Sequence, residues 1–338
     1  MSRSTRFRLF PSLVPLCGAL WVSAATAGTL GEPLSVAACW ERLPPVESGG
    51  GQPLPAWALR TADALPRTTA AMLELDWLHR TRNEIDPVLR GQMRWVAAVA
   101  NRCEYARATA EADLRRAGQT DDQIADLKRG PDHWPAPNHQ ALEFARTMTL
   151  NASAVTDDQV AALRNAHGER KLVAMVLCLA YANFQDRLLL ALGVPLEPEG
   201  PMPPVEVRFS RKGTAPKVPP RARPEDRRGP DVPTLLDDPR WHALGFDALQ
   251  TNLESQRRNG ERIRVPSYEE FLKKLPAGAP KPKAEVKIRW SLVCATYQPE
   301  LASAWSACTR AFGEEAKQDR VFEESLFWVV TRTIDCFY

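Results

Sequence analysis

The sequence predicts an all-α protein in which part of one helical unit occurs twice. From Pro66 to Pro195 apolar residues recur at helical spacing, and no run of alternating β-branched residues marks a sheet. Two segments, Thr120-Asp-Asp-Gln123 and Thr156-Asp-Asp-Gln159, place a hydroxyl three residues before a Gln, the pattern of a reciprocal helix cap. The stretch from Pro66 to Tyr105 also returns, without a gap, as Pro299 to Tyr338. The two share Pro66/Pro299, Ala71/Ala304, Asp86/Asp319, Val88/Val321, Trp95/Trp328, Val96/Val329, Cys103/Cys336 and Tyr105/Tyr338. A register held over that span reads as a duplication.

The N-terminus carries Arg3, Arg6 and Arg8, an apolar run from Leu9 to Val22, and Ala25-Thr26-Ala27. This is the layout of a secretory signal peptide over residues 1–27, and it predicts an exported, periplasmic or cell-envelope protein. Pro11, Pro15 and the shortness of the run count against a membrane span, although an uncleaved anchor and a cytoplasmic extension are the other readings. Cys17 lacks the small residues that would precede a lipidated cysteine. The remaining cysteines are widely spaced among apolar neighbours, unlike a disulfide scaffold.

Residues 28–59 form an extended lead-in rich in Gly and Pro, with one short helical piece near 36–43. The first helical domain, 60–197, is expected to hold helices at 67–80, 85–100, 103–117, 121–129, 138–150, 157–166 and 169–192. The last of these, from Leu172 to Leu192, is apolar on nearly every side and must be central or part of a subunit interface. Asp186 and Arg187 within it are expected to pair with charged or polar neighbours. A Pro-rich linker follows at 198–232. Its Arg208, Arg211, Lys212, Lys217, Arg221, Arg223, Arg227 and Arg228 read as a solvated face, with a polyanion or membrane surface as the second reading.

The second copy, 233–338, is incomplete, because nothing in it corresponds to residues 106–195. Helical signal lies at 241–257, 300–312 and 319–332, interrupted by a polar gap at Pro266 and a Lys/Pro stretch at 273–287. Folded alone it would leave apolar faces uncovered. At 338 residues, 44% apolar and 25% charged, the chain has the composition of a folded protein with room for two domains. A net charge of +3 makes no case for nucleic acid.

Asn101-Arg102-Cys103-Glu104 follows the helix that ends near Ala100, so Asn101 is a candidate cap and Glu104 falls in the first turn. Cys103 would then sit at a helix N-terminus, where free N–H groups favour the thiolate. The competing reading is an inert core cysteine that extends the Leu89, Met93, Val96, Ala100 stripe. In the second copy, Thr333 or Asp335 would cap the helix that opens at Cys336. Cys178, Cys294 and Cys308 sit among apolar residues and read as core. The five histidines have no metal-ligand spacing with the cysteines, and His79 and Arg80 are expected at the surface, with a pocket that holds an anion as the second reading. There is no Gly-rich phosphate loop and no Gly-x-Ser-x-Gly, so no cofactor is called for.

The stretch from Arg90 to Ala117, with the Gly-Gln-Thr-Asp-Asp-Gln-Ile-Ala-Asp-Leu after it, resembles the carboxymuconolactone decarboxylase and alkylhydroperoxidase D superfamily. So does Leu172 to Pro195, with Tyr181-Ala-Asn-Phe184-Gln-Asp-Arg187 and the ending Leu192-Gly-Val-Pro195. The resemblance covers residues 60–197 and, in part, 299–338, and it implies an alkylhydroperoxidase D-like helical fold that assembles as a homo-oligomer. In the peroxidase branch a Glu stands twelve positions before Cys-x-x-Cys, and a His follows after three more residues. One thiol attacks peroxide, the other resolves it as a disulfide, and Glu and His relay the proton. Mapped here, Cys103 matches the proximal, resolving thiol, while Gly91, Ala106 and Ala110 occupy the positions of the Glu, the attacking Cys and the His. The first copy is therefore expected to be silent in that chemistry. In the second, Glu324 stands twelve positions before Cys336, and the further Cys and His would fall past Tyr338.

The resemblance thus implies a thiol-dependent peroxidase lineage, weak or inactive in this chain, acting on peroxide or a small organic substrate with a dithiol electron donor. Cys336, Glu324 and a vestigial Cys103 are the candidate residues. A non-catalytic helical oligomerisation module is the second reading. A lactone decarboxylase-like enzyme, which needs no cysteine pair, is the third.

Overall fold

The two repeats meet chiefly through one pair of antiparallel helices, with further contacts to the long helix 157–191 of the first repeat. In the computed structural model, which describes residues 32–210, 247–248, 250–251, 254–255, 260–275, 282, 285–286, 288–316 and 319–333, the chain is mostly helical. The order is α1 (Val36–Arg42), β1 (Val46–Ser48), α2 (Ala56–Thr61), α3 (Pro66–Thr81), α4 (Pro87–Ala100), α5 (Glu104–Arg116) and α6 (Asp121–Lys128). Next come α7 (His139–Leu150), α8 (Asp157–Ala191), β2 (Arg208–Phe209), α9 (Tyr268–Lys274), α10 (Arg289–Tyr297), α11 (Pro299–Glu315) and α12 (Arg320–Thr333). The proposed signal segment 1–27, the linker from 211 onward and Cys336 lie outside the described residues.

The helices expected between 67 and 192 are all present, with ends shifted by a residue or two. Thr120 and Thr156 form full capping boxes with Gln123 and Gln159. The break expected before residue 169 is a kink at Gly168, whose φ of 78° only glycine adopts freely. Among the described residues three α-helices were not anticipated, and most of the helix expected at 241–257 lies outside them. α9 carries a capping box of its own, Ser267 with Glu270, the same pattern that marks α6. α2 and α10 are short and lie beside Pro-rich stretches.

The linker also needs correction at its front end. β2 pairs antiparallel with β1, and Val205, Val207 and Phe209 are buried. The Phe209 N–H donates to Glu74, while Glu197 accepts from Ala56 N–H and from the Tyr105 hydroxyl. The backbone at 205–209 is thus tied to the first repeat through Val205, Val207 and Phe209, while the Arg208 side chain stays exposed, as expected of the linker. Proline-rich composition conceals this, because the alternation that gives it away covers only Val205, Val207 and Phe209.

The duplication reaches further upstream than the shared residues suggest. α2 and α10, α3 and α11, and α4 and α12 begin at equivalent positions: Ala56 and Arg289, Pro66 and Pro299, Pro87 and Arg320. The residues preceding α3 and α11 have nearly the same backbone, Leu65 at φ −135°, ψ 59° and Gln298 at φ −135°, ψ 63°. Asp86 accepts from Val88 and Leu89 N–H, and Asp319 accepts from Phe322 N–H, so each aspartate caps the helix after it.

α3 and α11 pack antiparallel. The Glu315 carboxylate at the end of α11 accepts from the N–H groups of Arg67 and Thr68 and from the Thr68 hydroxyl, at 2.7, 2.8 and 2.6 Å. It fills orphan donors in the first turn of α3, where a negative charge is favoured. At the opposite end the Gln298 amide donates to the Arg170 carbonyl, and Arg170 pairs with Glu84 just past α3. Val293, Cys294, Leu301, Ala304 and Cys308 from the second repeat join Met72, Leu73, Leu75 and Leu78 in one core. A 210 Å³ cavity remains at this seam, lined by Thr69, Met72, Phe184, Leu188, Trp305 and Cys308 among others. A second core gathers α4, α5, α7 and α8 around Met93, Leu114, Leu142, Met175 and Leu179.

α8 is long and apolar enough to cross a membrane by length and composition, but two thirds of that window is buried inside the protein, as expected of a core helix. Asp186 and Arg187 each find a polar partner: Asp186 accepts from the Asn101 amide, and Arg187 donates to Asn183.

α12 differs sharply from its counterpart. In α4, Leu89, Met93, Arg94 and Ala97 are each no more than 5% exposed. The equivalent residues Phe322, Leu326, Phe327 and Val330 are 57%, 48%, 65% and 48% exposed. α4 is covered by α5, α7 and α8, and no described element stands over α12 in the same way.

Candidate functional site

Cys103 sits where the sequence places it, at the start of α5, but by another route. α4 ends in a Schellman turn: Cys103 N–H donates to Ala98 O and Arg102 N–H to Val99 O. The left-handed position, normally a glycine, is held by Arg102 at φ 57°. Cys103 is itself the N-cap of α5, and Asn101 is the C-cap of α4. The Asn101 amide turns away from α5 to Asp186 and Asn183, at 2.9 and 3.1 Å, which corrects its expected capping role.

The thiol is 2% exposed. Burial raises its pKa; N–H groups of Ala106 and Tyr105 pull the other way, and the Asp186 charge adds to the rise. The net shift is upward, so helix-end stabilisation loses to desolvation. Asp186 is pushed up to about 6, mainly by burial.

The other positions of the resembled site are closed. Ala106 and Ala110 are buried. A Cβ added at Gly91 would meet Leu114 Cδ2 at 2.7 Å, so α4 and α5 approach too closely there for a glutamate. Glu324 lies on the exposed α12 and pairs loosely with Arg320 at 3.8 Å. Among the described residues no group of three His, Cys, Asp or Glu is placed to hold a metal ion.

His79 and Arg80, expected at the surface, are buried at 1% and 8% exposure. His79 stacks on Tyr181 with ring centroids 4.5 Å apart and planes 3° from parallel, and its Nδ1 has no hydrogen-bond partner. Burial, helped by Arg94 and Arg90 and opposed by Asp76, lowers its pKa to about 3, so the imidazole is neutral. Asp76 accepts from the Tyr181 hydroxyl (2.9 Å), Gln185 (3.1 Å) and Arg80 (3.0 Å).

Arg80 also holds Asp113 with two hydrogen bonds of 2.9 and 2.8 Å, and Arg94 and Arg116 donate to the same carboxylate at 2.8 and 2.5 Å. Burial pushes Asp113 up, but the three guanidinium groups hold it below the usual carboxylate range. Arg90, 8% exposed, donates to the carbonyls of Asn83 and Ile85 and pairs with no carboxylate among the described residues. These side chains line a 310 Å³ cleft walled by Pro87, Gly91, Ala117 and Pro204.

Sequence reasoning missed this cleft. Its signal was Arg90 and Arg94 one turn apart on a helix otherwise apolar enough to be core. Comparison with protein-family models, curated proteins and solved structures finds no match.

Proposed function

We propose that the chain is a duplicated protein of the alkylhydroperoxidase D-like lineage whose first repeat has lost its thiol chemistry and which self-associates through its second repeat. The exposed apolar face of α12 carries the assembly reading. Full burial of a side chain such as Phe, Leu or Val is worth about 1.5–3 kcal/mol, and Val321, Phe322, Leu326, Phe327 and Val330 stand largely in water. The occupant we assign to this face is α12 of a second copy, since equivalent helices of the two repeats already pack antiparallel within one chain as α3 and α11. The lineage rests on the motif resemblance, with Cys103 at the head of α5 as support. Loss of chemistry is supported by the buried single thiol and by Gly91, Ala106 and Ala110.

The test is sedimentation velocity of the full chain beside Phe322→Ser/Phe327→Ser. The wild type is expected to sediment as a dimer or larger, and the variant as a folded monomer. A wild type that stays monomeric at all concentrations would refute the reading.

One observation favours a second reading, peroxide reduction at the second repeat. Glu324 occupies in α12 the position that Gly91 closes in α4, and there it has room for a carboxylate. Treating the protein with hydrogen peroxide and a sulfenic-acid trap tests it: Cys336 stands at the family's resolving position, so labelling of Cys336 means that this thiol itself attacks peroxide in the second repeat, whereas an unmodified Cys336 refutes this reading.

A further inference from the structure

We infer that the arginine-lined cleft between α3, α4 and α5 binds a small organic acid through its carboxylate. The site is built by three helices and one strap. The end of α3 supplies Arg80, α4 supplies Arg90 and Arg94, the end of α5 supplies Asp113 and Arg116, and Pro204 closes one wall. Three guanidinium groups, of Arg80, Arg94 and Arg116, converge on Asp113, with Asp76 behind Arg80, while the fourth, of Arg90, donates to backbone carbonyls.

The negative ends of α3 and α5 offset about half a charge each. The positive end of α4 is answered by the capping carboxylate of Asp86. Arg90 has no ion pair among the described residues, and its acceptors are both backbone carbonyls. A ligand carboxylate gives this guanidinium the charged partner it lacks, and the guanidinium fork matches the planar geometry of a carboxylate.

The volume of 310 Å³ is at the small end of the ~300–1,000 Å³ typical of small-molecule sites. Pro87, Gly91, Ala117 and Pro204 offer apolar contact rather than further hydrogen bonds. The walls therefore favour an acid with a compact apolar body over a bare inorganic anion. Nothing here depends on thiol chemistry or on the association of α12.

The experiment is isothermal titration of the full chain with benzoate and, separately, with inorganic phosphate. It is repeated on Arg116→Ala and Arg90→Lys, with circular dichroism melts on each variant. The expected result is saturable benzoate binding at one site per chain. Arg116→Ala, which changes a side chain already partly exposed, should weaken it about tenfold while leaving the fold intact. Arg90→Lys, which keeps the charge but not the fork, should weaken it as well. Phosphate binding without benzoate binding would overturn the organic-acid assignment. Absence of saturable binding to either, or benzoate affinity unchanged in Arg116→Ala, would overturn the site.

Discussion

Gly91 lies so close to Leu114 that a Cβ on residue 91 would sit 2.7 Å from Leu114 Cδ2, and Leu114 is fully buried. The missing side chain at 91 is thus what lets α4 and α5 come together. Gly91→Ala should gain about 1 kcal/mol of helix propensity and lose about 1–3 kcal/mol to overpacking, a net destabilisation. In a Leu114→Ala background the same change should become neutral or favourable. Urea melts of the four proteins of this cycle measure the coupling; strictly additive effects would refute the contact.

His79 keeps a buried nitrogen without a partner, and the equivalent residue of the second repeat is Phe312. His79→Phe retains the stack on Tyr181 and removes that atom, so it should stabilise the protein by about 1–3 kcal/mol at pH 7. The folded pKa near 3 lies below the unfolded value of about 6.5. Neutral His79 therefore contributes stability that is present above pH 6.5 and lost as pH falls towards 3. The variant should lose less stability over that window, read from denaturation midpoints at several pH values.

Asp186 titrates in the opposite sense. Its folded pKa of about 6 lies above the ordinary value of 3.8, so its contribution is full below pH 3.8 and is lost as pH rises through 6. Asp186→Asn, which still accepts from Asn101, should raise stability by about 2 kcal/mol at pH 8 and change little at pH 3.5. Equal effects at both pH values would contradict the buried-carboxylate reading.

Cys103 should resist alkylation by iodoacetamide in the native protein at pH 8 and react readily once denatured, because it is buried and its thiol is held above its ordinary pKa. Peptide mapping after a timed pulse reads this directly. Rapid native labelling would mean that the N–H groups at the head of α5 outweigh burial.

Much of the helical framework was legible because helical period and capping chemistry are local. α4 to α8 are written in apolar spacing and in Thr120 and Thr156. The register of the repeat likewise predicted equivalent starts for α3 and α11. The candidate site was less legible. Burial of His79 and Arg80 depends on Tyr181 and Asp113, more than thirty residues away, and no local pattern shows that a charged side chain has found a distant partner. Asn101 looked like a cap because residue type was the only guide, while a left-handed Arg102 does what a glycine would normally announce. The front of the linker hid two strand residues among prolines.

Amide hydrogen exchange of residues 320–333, followed at low and high protein concentration with α4 as internal reference, tests self-association through α12 most directly. The proposed self-association predicts that protection of α12 rises with concentration while α4 is equally protected throughout. Exchange of α12 that is fast and independent of concentration would contradict it.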